Sequence, residues 1–147
     1  MKKILAVLLI VLIGRSASAQ QTISEQYIPD VVKNKVKEMY PDAKGVYYKQ
    51  PIPQFLDAYF SLNKKKCNAT FLVSGAWVST DFEITQEEFP DSASLYLTSH
   101  SDKVLKYYRS ESKAKGLQYS ADAKTNGEVM QFIFDEHGNY LMKGPKD

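Results

Sequence analysis

Apolar positions change their spacing three times along the chain. Ile4 to Ile13 form an unbroken apolar run. From Ile28 the spacing becomes helical: Ile28, Val32, Val36, Met39 and Tyr40 fall on one face, and Pro41 stops the pattern. Alternating, strand-like segments follow at Val46–Lys49, Ala58–Leu62, Ala69–Val73 and from Trp77. The order then repeats. Phe89, Ala93, Leu97, His100 and Ser101 sit 61 positions after the first stripe, a weaker stripe towards its end, and Ser101-Asp102 closes it. Strand-like segments follow again at Lys106–Arg109, Leu117–Ala121, Val129–Phe134 and from Tyr140.

Each helical stripe opens on a proline, in Ile28-Pro29-Asp30 and Phe89-Pro90-Asp91. Proline suits a first helical turn, where its missing N–H would be unpaired anyway. Asn63-Lys64, Ser74-Gly75, Lys124-Thr125-Asn126-Gly127 and Asp135-Glu136-His137-Gly138 read as turns between strands. Pro51-Ile52-Pro53 predicts a loop or an edge, because proline cannot donate to a ladder. The pattern predicts an α+β fold of two tandem units, about 24–85 and 86–147, each a helix and four antiparallel strands. A unit of about 60 residues buries too little surface to be robust alone. Two units joined edge to edge would share one curved sheet, with helices on one face and two open edges covered.

Alternation also sorts the strand residues by face. Ala58, Phe60, Leu62, Phe71, Val73, Val78 and Phe82 are assigned to the helix-covered face, with Leu117, Tyr119, Ala121, Met130, Phe132, Phe134 and Leu141 as their counterparts. Tyr59, Leu72, Trp77, Ile133 and Tyr140 are then left on the open face, interleaved with Ser61, Thr70, Ser79, Gln118, Ser120 and Gln131. The facing of the first strand in each unit stays open.

The amino terminus adds a destination. Lys2 and Lys3, the ten-residue apolar run and Ala17-Ser18-Ala19 follow the order of a secretory signal, so residues 1–19 are expected to be cleaved. The run is well short of the roughly 20 residues that span a bilayer, and no cysteine follows it to carry a lipid. The body, residues 20–147, is expected to be periplasmic or secreted, as one domain without a membrane anchor. Losing Lys2, Lys3 and Arg15 leaves 16 basic and 17 acidic residues, a formal charge of −1. That balance gives no electrostatic case for nucleic acid. Lys64-Lys65-Lys66, the one basic run, reads as a solvated hairpin tip.

Candidate chemistry is sparse. Cys67 is the single cysteine, so no internal disulfide forms, and it is expected as a half-buried strand residue whose lysine neighbours would lower its pKa if it were exposed. Glu87-Glu88 and Asp91 suit a helix N-terminus better than acid–base work. Asp135-Glu136-His137 are adjacent in a turn and would point apart, so no metal site is assigned. Asn68-Ala69-Thr70 fits a glycosylation sequon but falls inside a strand. No phosphate loop, nucleophile elbow or zinc spacing is present. No catalytic residue and no cofactor is therefore expected.

Ile28-Pro29-Asp30 with Tyr40-Pro41-Asp42-Ala43-Lys44, and the ending Phe134-Asp135-Glu136-His137-Gly138-Asn139-Tyr140-Leu141, resemble motifs of the PepSY-like family of exported bacterial proteins, also called β-lactamase-inhibitor-like. The resemblance implies two tandem helix-plus-sheet repeats, helices on the convex side. It also implies a concave sheet face that in the β-lactamase inhibitory protein grips an enzyme. The second stripe lacks the Tyr-Pro that ends the first, and the first unit is expected to have the shorter third hairpin, Val73 to Trp77.

Ten tyrosines, seven phenylalanines and one tryptophan are the informative part of the composition. Tyr and Trp give large contact area at low entropy cost. The expected function is a non-enzymatic module that binds, or inhibits, a protein of the envelope or extracellular space through the open face at Tyr59, Leu72, Trp77, Ile133 and Tyr140. The alternatives are a small apolar or cell-wall-derived ligand in the concavity, or a structural role in an envelope assembly.

Overall fold

The structure is a computed structural model that describes residues 21–146. The expected signal segment lies outside those residues. A two-residue strand, β1 (Thr22–Ile23), and a single 3-10 turn lead into α1 (Asp30–Met39). Four strands follow: β2 (Lys44–Lys49), β3 (Phe55–Leu62), β4 (Lys65–Leu72) and β5 (Trp77–Ile84). After a second 3-10 turn comes α2 (Asp91–His100), then β6 (Lys103–Ser112), β7 (Gly116–Thr125), β8 (Glu128–Phe134) and β9 (Tyr140–Pro145). All nine strands form one antiparallel sheet in sequence order, β1 through β9. Its middle is the β5–β6 ladder, from Ser79↔Ser112 to Ile84↔Tyr107.

Both helices begin one residue after their proline. Pro29 and Pro90 occupy the N-cap with extended backbone rather than the first turn, and the Pro29 carbonyl accepts the N–H groups of Val32 and Lys33. The turn before α2 carries a capping box, in which Glu88 answers the Thr85 N–H. Lys65, at the β3–β4 hairpin, forms an ion pair with Glu88 and ties the first hairpin to the approach of α2. The Lys64–Lys66 run is thus only in part a free tip.

Both helices lie on the same face of the sheet. Ile28, Val32 and Val36 pack on Leu56, Ala58, Phe60, Cys67, Ala69 and Phe71. Phe89, Ala93 and Leu97 pack on Ala121, Ala123, Phe132 and Phe134. Phe82 and Ile84 alternate on one face of β5, and the first joins the α1 cluster while the second joins the α2 cluster. The weak second stripe is compensated by aromatic stacking: Tyr96 lies flat on His100 at 3.9 Å and on Tyr140 at 4.5 Å. No described helix is long and apolar enough to cross a membrane.

Four β-bulges bend this sheet, and two of them overturn face assignments. On β5, Thr70↔Ser79 is followed by Phe71↔Trp77, so Val78 is the extra residue. The alternation slips by one there, and Trp77 rather than Val78 turns under α1. On β9, Ile133↔Met142 is followed by Phe134↔Tyr140, leaving Leu141 as the extra residue. Leu141 is 49% exposed, and Tyr140 turns towards α2. Val73 does not reach the core either; it has already left β4 and is 39% exposed. The third hairpins are equal in length, because Phe71 to Trp77 and Phe134 to Tyr140 each span six positions. Each is pinned under a helix start by a positive-φ glycine: Gly75 against Val31, and Gly138 against Pro90 and Ser92.

Candidate binding face

With both helices on one side, the other face of the sheet is left uncovered. Cross-strand partners share a face, so the ladder defines its rows. One row runs Tyr47, Tyr59, Asn68, Asp81, Ser110, Gln118 across six strands, β2 to β7. Beside it run Lys49, Asp57, Thr70, Ser79 and Ser112. On the other side are Glu83, Tyr108, Ser120, Ile133 and Met142. Beyond that lie Lys106, Asp122 and Gln131. The small residues in the middle sink between tyrosines. The result is a concavity of about 440 Å³ that reaches from Tyr59 on β3 to Ile133 on β8.

Of the five residues expected on this face, three are there. Tyr59 lines the concavity and stacks on Tyr47, ring centroids 5.1 Å apart. Ile133 lines it from β8. Leu72 faces the same way, opposite Phe55, but lies outside the concavity's lining. Trp77 and Tyr140 are corrected to the helix side. The Trp77 indole N–H donates to Thr80 Oγ1 at 2.8 Å, and Thr80, almost fully buried, also meets the Tyr40 hydroxyl. A tryptophan whose one polar group is satisfied inside the fold is built into the core. The bulges are responsible, since period-2 alternation carries no mark of an inserted residue.

Tyr108 is the residue that sequence reasoning missed. In β2 the ladder turns Tyr48 inward and Tyr47 outward; in β6 it turns Tyr107 inward and Tyr108 outward. A Tyr-Tyr pair gives the period no polar partner to read, so the facing could not be chosen. Tyr108 stands in the concavity, and its hydroxyl donates to Asp122 Oδ2 at 3.1 Å.

Carboxylates mark the floor of the bare face on either side of the concavity, outside its lining. Asp57 is 8% exposed and Asp122 6% exposed. Burial pushes the Asp57 pKa up, the Asp81 charge adds to that, and the hydrogen bond from Thr70 Oγ1 at 2.7 Å opposes it. Burial also raises Tyr108 well above the ordinary tyrosine value, with the Asp122 charge next in size. Cys67 is buried in β4, and burial raises its thiol pKa despite Lys65 nearby. Asn68 of the sequon lies within β4 as expected.

Asp135, outside this face, has local structural work. Asp135 Oδ1 accepts the N–H groups of His137 and Asn139, which closes the β8–β9 turn. Among the described residues no three His, Cys, Asp or Glu side chains are placed to hold a metal ion. The face offers acceptors, hydroxyls and aromatic surface, which suits holding a partner.

No family model matches the chain, and no curated protein matches it. Solved structures do. A candidate periplasmic protein from Bacteroides eggerthii superposes with a TM-score of 0.72 at 21% identity, covering 81% of this chain and 89% of that one. A DUF2874 family protein from Bacteroides ovatus gives 0.69 at 21% identity, covering 80% and 86%. A BLIP-like protein from Bacteroides fragilis gives 0.68 at 16% identity, covering 79% and 84%. At these identities the likeness is one of fold: a single antiparallel sheet with two helices on one side.

Proposed function

We propose that this chain is an exported, non-enzymatic module that grips another protein with its concave sheet face, and that it is built from two copies of one helix-plus-four-strand unit. Export is supported by the signal-like first 19 residues and by the fold shared with the candidate periplasmic protein. The repeat is supported by the matching bulges after Phe71 and Phe134 and by the matching glycines under the two helix starts.

One observation carries the binding reading: the helices cover a single face, and the bare face is a tyrosine-walled concavity six strands wide. Tyr47, Tyr59 and Tyr108 rise beside Ser79, Ser110, Ser120, Asn68 and Gln118. Tyrosine among small hydroxyl and amide residues is the composition of protein-recognition surfaces. The concavity has the volume of a small-ligand site, but the carboxylates of Asp81 and Glu83 in its lining count against an apolar ligand.

Site-specific photo-crosslinking in the native host tests this. A photoreactive residue at Ser110, on the bare face, should give a discrete protein adduct. One at Leu95, exposed on α2, should not. Adducts from Leu95 and none from Ser110 would overturn the reading.

A further inference from the structure

The charges on the bare face are unevenly answered. Lys106 Nζ lies 3.5 Å from Glu83, and Lys146 Nζ lies 3.3 Å from Asp122. Two lysines also sit over tyrosine rings, Lys49 on Tyr59 and Lys146 on Tyr108, each 5.3 Å from the centroid. Asp81 is different. It stands in the middle of the concavity, between Asn68 and Ser110 in its row, and among the described residues no cation pairs with it. Lys66, on the same wall, makes no ion pair among the described residues and is exposed.

A further acceptor beside Asp81 wants a donor. Asn68 Oδ1 is buried and has no hydrogen-bond partner. Buried polar atoms are almost always satisfied, so an unpartnered acceptor beside an unpaired carboxylate in one concavity points to a missing donor. The donor has to supply several N–H groups and positive charge beside aromatic rings. Metal coordination does not fit, since among the described residues no three ligating side chains converge.

We propose that the concave face receives an arginine side chain of the bound protein, its guanidinium on Asp81 and Asn68 in the cavity that Tyr59 and Tyr108 line. The inference rests on the protein-binding reading above and names the chemistry that such a partner presents. Arginine fits where lysine fits less well: its planar fork carries five donors, pairs with a carboxylate in two places and stacks on aromatic rings. Recognition then reads one basic side chain at the centre of the face, with the tyrosines around it excluding water.

The test is an NMR titration of the isotope-labelled exported protein with acetyl-Gly-Arg-Gly-amide. Saturable shifts should appear at the amides of Asn68, Asp81 and Ser110, with a Kd of about 1 mM for so small a probe. The isosteric citrulline peptide should give none, and the lysine peptide should bind more weakly. Asp81→Asn, checked for an unchanged amide fingerprint elsewhere, should weaken binding at least about tenfold. No saturable shift up to about 10 mM, or equal binding of the citrulline peptide, overturns the inference without recourse to any variant. Shifts that saturate elsewhere, or persist unchanged in Asp81→Asn, overturn it too. Crosslinks from Ser110 without arginine binding would leave the binding reading standing and remove this one. Arginine binding with crosslinks only from Leu95 would leave an arginine site on the face but overturn the protein-binding reading, and this inference with it.

Discussion

The two faces of this sheet are made from the same strands, residue by residue, yet they obey different rules. On the covered face Phe71, Phe132 and Phe134 are fully buried, and the buried Thr80 hydroxyl is held by bonds inside the fold. On the bare face the buried residues are Asp57, Asp122 and Ser120, and acceptors are left over. A stability-driven surface would not keep a carboxylate such as Asp57 nine-tenths buried with no ion pair among the described residues, because its desolvation costs free energy. The difference separates what the molecule needs in order to fold from what it keeps for a partner.

The largest expected effects come from the covered face. Phe132→Ala and Phe71→Ala should each cost about 3–5 kcal/mol in urea unfolding, since both rings are fully buried and leave a cavity. Trp77→Ala comes next, at about 3 kcal/mol, because the ring is only partly buried but its bond to Thr80 is lost as well. Val78→Ala, at the bulge, should stay below about 0.5 kcal/mol. The reverse order for this neighbouring pair would put Trp77 on the bare face and dissolve the comparison.

That pair also shows what the sequence could and could not disclose. The helices, the hairpin turns and the single sheet were legible because their signals are periodic or chemical: a 3.6-residue stripe after a proline, or a turn residue between alternating runs. Ala58, Phe60, Phe71, Phe132 and Phe134 were placed correctly for that reason. Trp77 and Tyr140 were not, since each precedes an extra residue, Val78 or Leu141, that shifts the period by one and leaves no residue signature. Tyr108 was hidden by Tyr107 beside it, and the buried carboxylates Asp57 and Asp122 by the habit of reading a polar residue as solvated. Of the candidate face, Tyr59, Leu72 and Ile133 were legible, and Tyr108 and the buried carboxylates were not.

Smaller effects test the bare face. Tyr59→Ala removes a cross-strand stack with Tyr47 and should cost about 1 kcal/mol or less in stability. Loss of partner crosslinking from Ser110 should be far larger, about tenfold or more, as for an aromatic anchor. A stability loss matching that of Phe132→Ala would make Tyr59 a core residue and erase the distinction between the faces.

The smallest effect is one of pH, and it tests whether the floor is as dry as its burial suggests. The Asp57 carboxyl holds its proton more tightly in the folded chain than its ordinary value of 3.8, chiefly through burial, with Asp81 adding repulsion. A group of this kind favours the fold most below the unfolded value, and that contribution is lost as pH rises through the raised folded value. At neutral pH the ionised carboxylate therefore works against the fold. Asparagine keeps an acceptor for Thr70 Oγ1 and carries no charge. Asp57→Asn should thus be more stable than the parent near pH 7, and the gap should close as pH falls towards 3.8. Asp135 supplies the opposite sign, because its pKa is lowered by bonds from Asn139 and His137. Its contribution is present above the unfolded value and fades as pH falls through the folded one, so Asp135→Asn should be less stable near neutrality, with a gap that narrows in acid. Urea midpoints measured across this range separate the two. If Asp57→Asn shows no gap at neutral pH, or one of the Asp135 sign, the floor is solvated like the rim, and the contrast between the two faces reduces to which of them the helices cover.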